Sequence, residues 1–179
     1  MVKKEAVFLD RDGVINDNRK TVNKPEDLIL YPWTASAIRK LNQAGYPVYV
    51  VTNQGGIELG FFTAGDLENI HAHLKKLLQA ENARVDKIVY CPHYHQPCNC
   101  RKPKPGMLLA LAEKYPVDLK RSWMIGDREP DILAGSSAGC HTIKIGNHDV
   151  AADYYCDNLL EAVAIILQAE VNARPRTQT

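Results

Sequence analysis

The sequence predicts an α/β protein with a Rossmann-like parallel sheet and helices on both faces. Three observations predict this fold. Short runs of apolar and β-branched residues alternate with stretches of helical periodicity along the 179 residues. Gly45 and Gly139 fall where helices need a residue that tolerates a left-handed backbone. Unusual polar residues also gather just after successive apolar runs, where open parallel sheets place their sites.

The first strand is expected at Ala6–Leu9, followed by a helix over Thr34–Ala44 and a strand at Val48–Val51. The helix over Thr63–Gln79 carries the clearest pattern, with Leu67, Ile70, Leu74, Leu77 and Leu78 on one stripe. Thr63 and Asp66 stand at capping-box spacing at its start. His71 and His73 lie two apart on that helix, too far round to share a metal, and are read as facing solvent. Strands at Lys87–Tyr90, Ser122–Ile125 and Thr142–Ile145 alternate with helices over Gly106–Lys114 and Asp131–Ala138. The last helix covers Leu159–Glu170. No repeat or linker interrupts residues 1–171, which are read as one domain without a large inserted cap. The polar stretch 172–179 is read as a disordered tail.

Composition excludes several function classes. Lys and Arg total 22 against 21 Asp and Glu, a net charge of +1, so no basic field recommends a nucleic-acid partner. The apolar stretch from Leu159 to Leu167 is too short for a bilayer and carries Glu161, so no membrane partner is expected. Lys3 and Lys4 precede too brief an apolar run for a signal peptide, which points to the cytoplasm. Three of five cysteines crowd into ten residues, which suits metal binding in a reducing compartment better than a disulfide framework. Cys140 and Cys156 read as small packing residues.

The chemistry begins at Asp10-Arg11-Asp12-Gly13. Two acids one residue apart at a strand tip project to the same side and call for a hard divalent cation between them. Asp127, after the fourth strand, would complete a magnesium site with Asp10 and Asp12, with Asp131 in support. Thr52-Asn53-Gln54-Gly55 ends the second strand with a hydroxyl able to donate to a phosphate oxygen and glycine backbone open to an anion. Cys91, His93, Cys98 and Cys100 supply three thiolates and an imidazole, enough to saturate a structural zinc, with His95 as an alternative to His93. Arg101 and Lys102 follow directly and would offer fixed positive charge to a phosphoryl group.

In this order, Asp10-Arg11-Asp12-Gly13, Thr52-Asn53-Gln54, Arg101-Lys102-Pro103 and Gly126-Asp127 resemble the haloacid dehalogenase-like phosphatases, and within them the capless, zinc-containing branch. The likeness covers residues 5–145. It implies a Mg²⁺-dependent phosphomonoesterase with Asp10 as nucleophile, Asp12 as acid and base, and Thr52 and Lys102 on the phosphoryl oxygens. Magnesium would sit on Asp10, the Asp12 backbone carbonyl and Asp127. Substrate contacts are implied at Arg11, Asn18, Arg19, Lys20, Thr21, Asn53, Gln54, Gly55, Arg101 and Arg128. The expected substrate is a small sugar phosphate, a heptose bisphosphate, handled by a monomer. Histidinol phosphate is the alternative, for which Asp17 and Glu58 are the acids available to meet a cationic substrate. A receiver-like phospho-aspartate module is a further alternative, disfavoured because Asp12 and the zinc loop have no place in one. The family's Asn-Gln-Ser-Gly reads Asn53-Gln54-Gly55-Gly56 here, a departure that bears on substrate choice and not on the catalytic core.

Overall fold

Apolar alternation in the strands decides the layering. The computed structural model describes residues 2–173. Six parallel strands form one sheet: β1 (Val7–Leu9), β2 (Val48–Asn53), β3 (Lys87–Cys91), β4 (Trp123–Gly126), β5 (His141–Ile145) and β6 (Tyr154–Cys156). Their order is β3-β2-β1-β4-β5-β6, and β1 pairs in register with both β2 (Val7 opposite Val48) and β4 (Val7 opposite Trp123). Chain order therefore reverses between β1 and β4, which leaves a crevice at their carboxyl ends.

Five helices cover the sheet: α1 (Thr34–Gln43), α2 (Ala64–Ala80), α3 (Gly106–Lys114), α4 (Glu129–Ala138) and α5 (Leu159–Ala173). Successive strand residues point to opposite faces, so Val7, Leu9, Val48 and Val50 pack under α1, α2 and α5. Phe8, Tyr49, Val51 and Met124 pack under α3 and α4. Both faces of β1 and β4 are buried throughout, as expected for central strands of a doubly covered sheet.

Local chemistry sets the helix ends. Thr63 accepts from the Asp66 N–H at 3.1 Å, and the Asp66 carboxylate accepts from the Thr63 N–H at 2.8 Å, a reciprocal cap that stabilises by about 1 kcal/mol. Gly139 ends α4 at φ 85°, a left-handed conformation that a side chain would oppose.

The expected elements are present, with differences at their ends. α4 begins at Glu129, two residues early, because Asp131 caps it: its carboxylate accepts from the Arg128 N–H at 3.1 Å. β6 was not expected, since three residues at a sheet edge carry too little periodicity to register. α5 runs to Ala173, so Asn172 is helical and does not begin a tail; residues 174–179 of the expected tail lie outside the described residues. His71 is a correction. It falls on the buried stripe of α2, four residues after Leu67 and three before Leu74, and is buried. No helix of the described residues is long and apolar enough to cross a membrane.

Candidate active site

A cleft of about 590 Å³ opens at the carboxyl ends of β1, β2 and β4, floored by Asp10, Thr52, Lys102 and Asp131. Lys102 is 3% exposed, and its Nζ lies 2.7 Å from Asp10 and 2.6 Å from Asp131, with a third bond of 2.8 Å to the Val51 carbonyl. Asn53 fixes the Lys102 backbone by donating to its carbonyl and accepting from its N–H, both at 3.0 Å. Asn53 lines the cleft while holding this backbone, and one N–H and one lone pair of its amide stay outside these two bonds. Burial opposes the Lys102 charge, but Asp10 and Asp131 outweigh it and raise the ammonium above its usual range.

Carboxylate oxygens of Asp10, Asp127 and Asp131 all lie within 4.8 Å of one another. One ammonium cannot balance three acids, two of them buried and Asp127 half-buried. Burial, then the Asp131 charge, push Asp10 up to about 8 and Asp127 to about 6, partly offset by Lys102 and Arg128. Asp127 Oδ1 is buried with no hydrogen-bond partner, and Asn18 donates to its other oxygen at 3.1 Å. An orphaned carboxylate oxygen facing two further acids fits a hard divalent cation. Asp131 is already committed to Lys102 and to the start of α4, so Asp10 and Asp127 remain the carboxylates able to hold one. Gly13, at φ 88°, lets the chain turn there; a Cβ would overlap the Asp127 carboxylate.

Asp10 and Asp12 do not form a shared pair. β1 ends at Leu9, so the alternation that would align them has stopped, and the carboxylates take different partners, Asp10 the Lys102 ammonium and Asp12 its own set of donors. Asp12 turns to Arg11, whose Nη2 reaches both its oxygens at 2.9 and 3.0 Å. Asn16 donates to one oxygen at 2.9 Å and Gln54 to the other at 3.1 Å. Burial raises the Asp12 carboxyl, but the Arg11 charge and these bonds outweigh it and hold the group below its ordinary value. Gln54 also donates to Thr52 Oγ1 at 2.8 Å, so the Thr52 hydroxyl hydrogen is left to aim elsewhere.

Arg11 is 1% exposed and turns its Nε and Nη2 to Asp12, so it supports that acid from a place in the cleft lining. Arg19 pairs with Asp17 in solvent and does not line the cleft, because the opposite charge two residues back captures it first. Arg11, Asn18, Lys20, Thr21, Asn53, Gln54, Gly55, Arg101 and Arg128 do line it, together with Phe61, Phe62 and Tyr94, which the sequence did not single out.

The cysteine loop stands beside this cleft. His93 Nδ1 lies 3.5 Å from Cys91 and 3.4 Å from Cys100, and Cys91 lies 3.6 Å from Cys98 and 3.0 Å from Cys100. Four donors facing one point suit a closed tetrahedral metal. His93 takes this position, while the His95 ring packs edge-on against Tyr94. Glu58 ties the loop down by accepting from the Tyr94, His95 and Gln96 N–H groups, at 2.6 to 3.3 Å. Arg101 donates to the His93 carbonyl at 2.7 Å and lies over the Tyr94 ring, so the loop aims it along the cleft wall.

The HAD-hydrolase-like family model matches residues 99–162. A D-glycero-beta-D-manno-heptose-1,7-bisphosphate 7-phosphatase of Rhodopseudomonas palustris is 41% identical over 156 residues, covering 83% of this chain and 87% of that protein. Its namesake in Pseudomonas aeruginosa is 40% identical over 146 residues, covering 80% and 82%. The crystal structure of D,D-heptose 1,7-bisphosphate phosphatase from B. bronchiseptica, complexed with magnesium and phosphate, superposes with a TM-score of 0.87 at 32% identity, covering 93% of this chain and 99% of that one. Fold, site and relatives define a haloacid dehalogenase-like phosphatase. Within that class the chain belongs to the D-glycero-D-manno-heptose-1,7-bisphosphate 7-phosphatase family.

A cation bound by these acids must displace their protons. Mg²⁺ affinity measured by calorimetry is expected to rise with pH between about 6 and 8, where Asp127 and then Asp10 ionise, with proton release in that window. A pH-independent affinity would contradict this placement.

Proposed function

We propose that the chain hydrolyses the 7-phosphate of D-glycero-D-manno-heptose 1,7-bisphosphate through an aspartyl-phosphate on Asp10. One observation carries the chemistry: at the cleft floor the Asp10 carboxylate is held by Lys102, while Asp12 is held separately by its own donors. The names of relatives about 40% identical over most of the chain support the choice of sugar.

In the first step an Asp10 oxygen attacks phosphorus, the bond to the sugar oxygen breaks, and Asp12 protonates the leaving alkoxide. In the second step Asp12 takes a proton from water, whose oxygen attacks phosphorus and releases the Asp10 carboxylate and inorganic phosphate. Arg11, Asn16 and Gln54 favour ionised Asp12, which suits the second step; an incoming phosphate opposes that charge, so protonation would accompany substrate binding. The Thr52 hydroxyl would meet a phosphoryl oxygen, and Lys102, whose three hydrogens go to Asp10, Asp131 and the Val51 carbonyl, would turn one of them to another as charge shifts. Mg²⁺, held by the Asp10 and Asp127 carboxylates and the Asp12 backbone carbonyl, would supply the counter-charge that lets an anionic nucleophile approach an anionic phosphate.

Zn²⁺ is the ion that the three thiolates and one imidazole suit. With all four positions taken by protein, its role is to shape the loop that carries Arg101 and Lys102 and not to activate water. The five unpaired cysteines support a cytoplasmic setting.

Histidinol phosphate would bring an ammonium and an imidazole, which need free acids at the mouth. Asp17 is occupied by Arg19, and Glu58 by three backbone N–H groups. Lys20, Arg101 and Arg128 remain as cleft cations for a second phosphate. The expected kcat/KM is about a hundredfold or more higher for the heptose bisphosphate than for histidinol phosphate, read as phosphate release. A preference for histidinol phosphate would overturn the substrate, and an active Asp10→Asn would overturn the chemistry.

Cys98→Ser is expected to weaken zinc retention, lower the melting temperature and reduce turnover by loosening Arg101 and Lys102. Metal analysis and a thermal melt check this; full activity and stability in zinc-free protein would contradict it.

A further inference from the structure

Arg11 presents five donors, and only part of that fork reaches Asp12. Its Nε and Nη2 meet the carboxylate at 2.9 to 3.1 Å, while Nη1 points the other way and lies 3.3 Å from Nε2 of His71. His71 is 7% exposed, on the buried stripe of α2 between Leu67 and Leu74, and its ring lies against Tyr90. Arginine can only donate, so His71 Nε2 must accept and the ring proton resides on Nδ1. That tautomer requires a neutral imidazole, and burial followed by the Arg11 charge lowers the ring to about 4. A helix on one face of the sheet thus reaches, through one buried guanidinium, the carboxylate beside the cleft.

We propose that His71 is a positioning residue: by accepting from Arg11 it fixes the plane of the guanidinium and, through it, the direction of the Asp12 carboxylate. The inference rests on the reading of Asp12 as the acid and base. Two of the three nitrogens on Arg11 define where the Asp12 oxygens lie, so a planar guanidinium free to swing about its Cδ–Nε bond would carry the carboxylate with it. Asn16 and Gln54 each hold one oxygen by one bond and do not fix that plane alone. Misplacement of a reacting group by about an ångström costs up to about a hundredfold in rate, and His71 removes that freedom without touching the substrate.

The test is steady-state turnover on the heptose bisphosphate with melting temperatures read alongside. His71→Leu is expected to fold, because an apolar residue suits the stripe, and to lose about ten- to a hundredfold in kcat with KM within about twofold. His71→Gln, whose amide oxygen can accept from Arg11, is expected to recover most of that loss. In an Arg11→Lys background, His71→Leu is expected to cost nothing further, since the two act as one unit. A folded His71→Leu with wild-type kcat overturns the proposal, as does a loss that His71→Gln fails to recover or that adds in full to Arg11→Lys. Should His71→Leu not fold, His71→Met takes its place under the same criteria. Asp12→Asn separates the two levels. If it keeps full turnover, the reading of Asp12 fails; if it is inactive while folded His71→Leu is normal, only the positioning role fails.

Discussion

The site depends on one buried ammonium. Lys102 sits between Asp10 and Asp131 at the base of the cleft, and its backbone is held by Asn53 at the end of β2. Removing one partner from such a buried set leaves charge uncompensated, at a cost of about 3–5 kcal/mol. The arrangement joins three parts of the chain: the tip of β1, the start of α4 and the segment after the cysteine loop. It also leaves the acids in excess, and that excess is what a divalent cation and a phosphoryl group would share.

The cysteine loop acts through the same residues. A metal enclosed by its three thiolates and one imidazole would have no position for water, so its value would lie in where it holds the chain that follows. Glu58 anchors the loop from the β2 side, and Arg101 anchors it from within through the His93 carbonyl. The Glu58 carboxylate is thereby a fastening for the loop that carries Arg101 and Lys102, and not a free acid for a cationic substrate.

Much of the fold was legible in the sequence because central parallel strands are apolar on both faces and their helices carry stripes. Five strands and five helices were readable on those grounds. β6 was not, because Tyr154-Tyr155-Cys156 is too short to show a period, and its place depends on pairing with β5. Within the site, the places of Asp10, Thr52 and Asp127 were readable because strand-end position and residue type agree, and that of Lys102 because it directly follows the cysteine loop. Arg11, Asn53 and Gln54 line the cleft as their residue types suggest, but the neighbouring groups they also hold were not legible, and Arg19 pairs with Asp17 away from it. Residue type shows what a side chain can bond, while its partner is decided by which neighbour arrives first in three dimensions. His71 carried a usable signal, a position on the Leu67–Leu74 stripe, but an imidazole was taken for a surface group.

The central claim is that Asp10 carries the phosphoryl group, and covalent trapping tests it most directly. Wild-type protein mixed with the heptose bisphosphate, quenched during turnover and reduced with borohydride should contain homoserine at position 10 on peptide mass spectrometry. Sugar monophosphate formed without any label at position 10, or with the label on another carboxylate, would contradict the account.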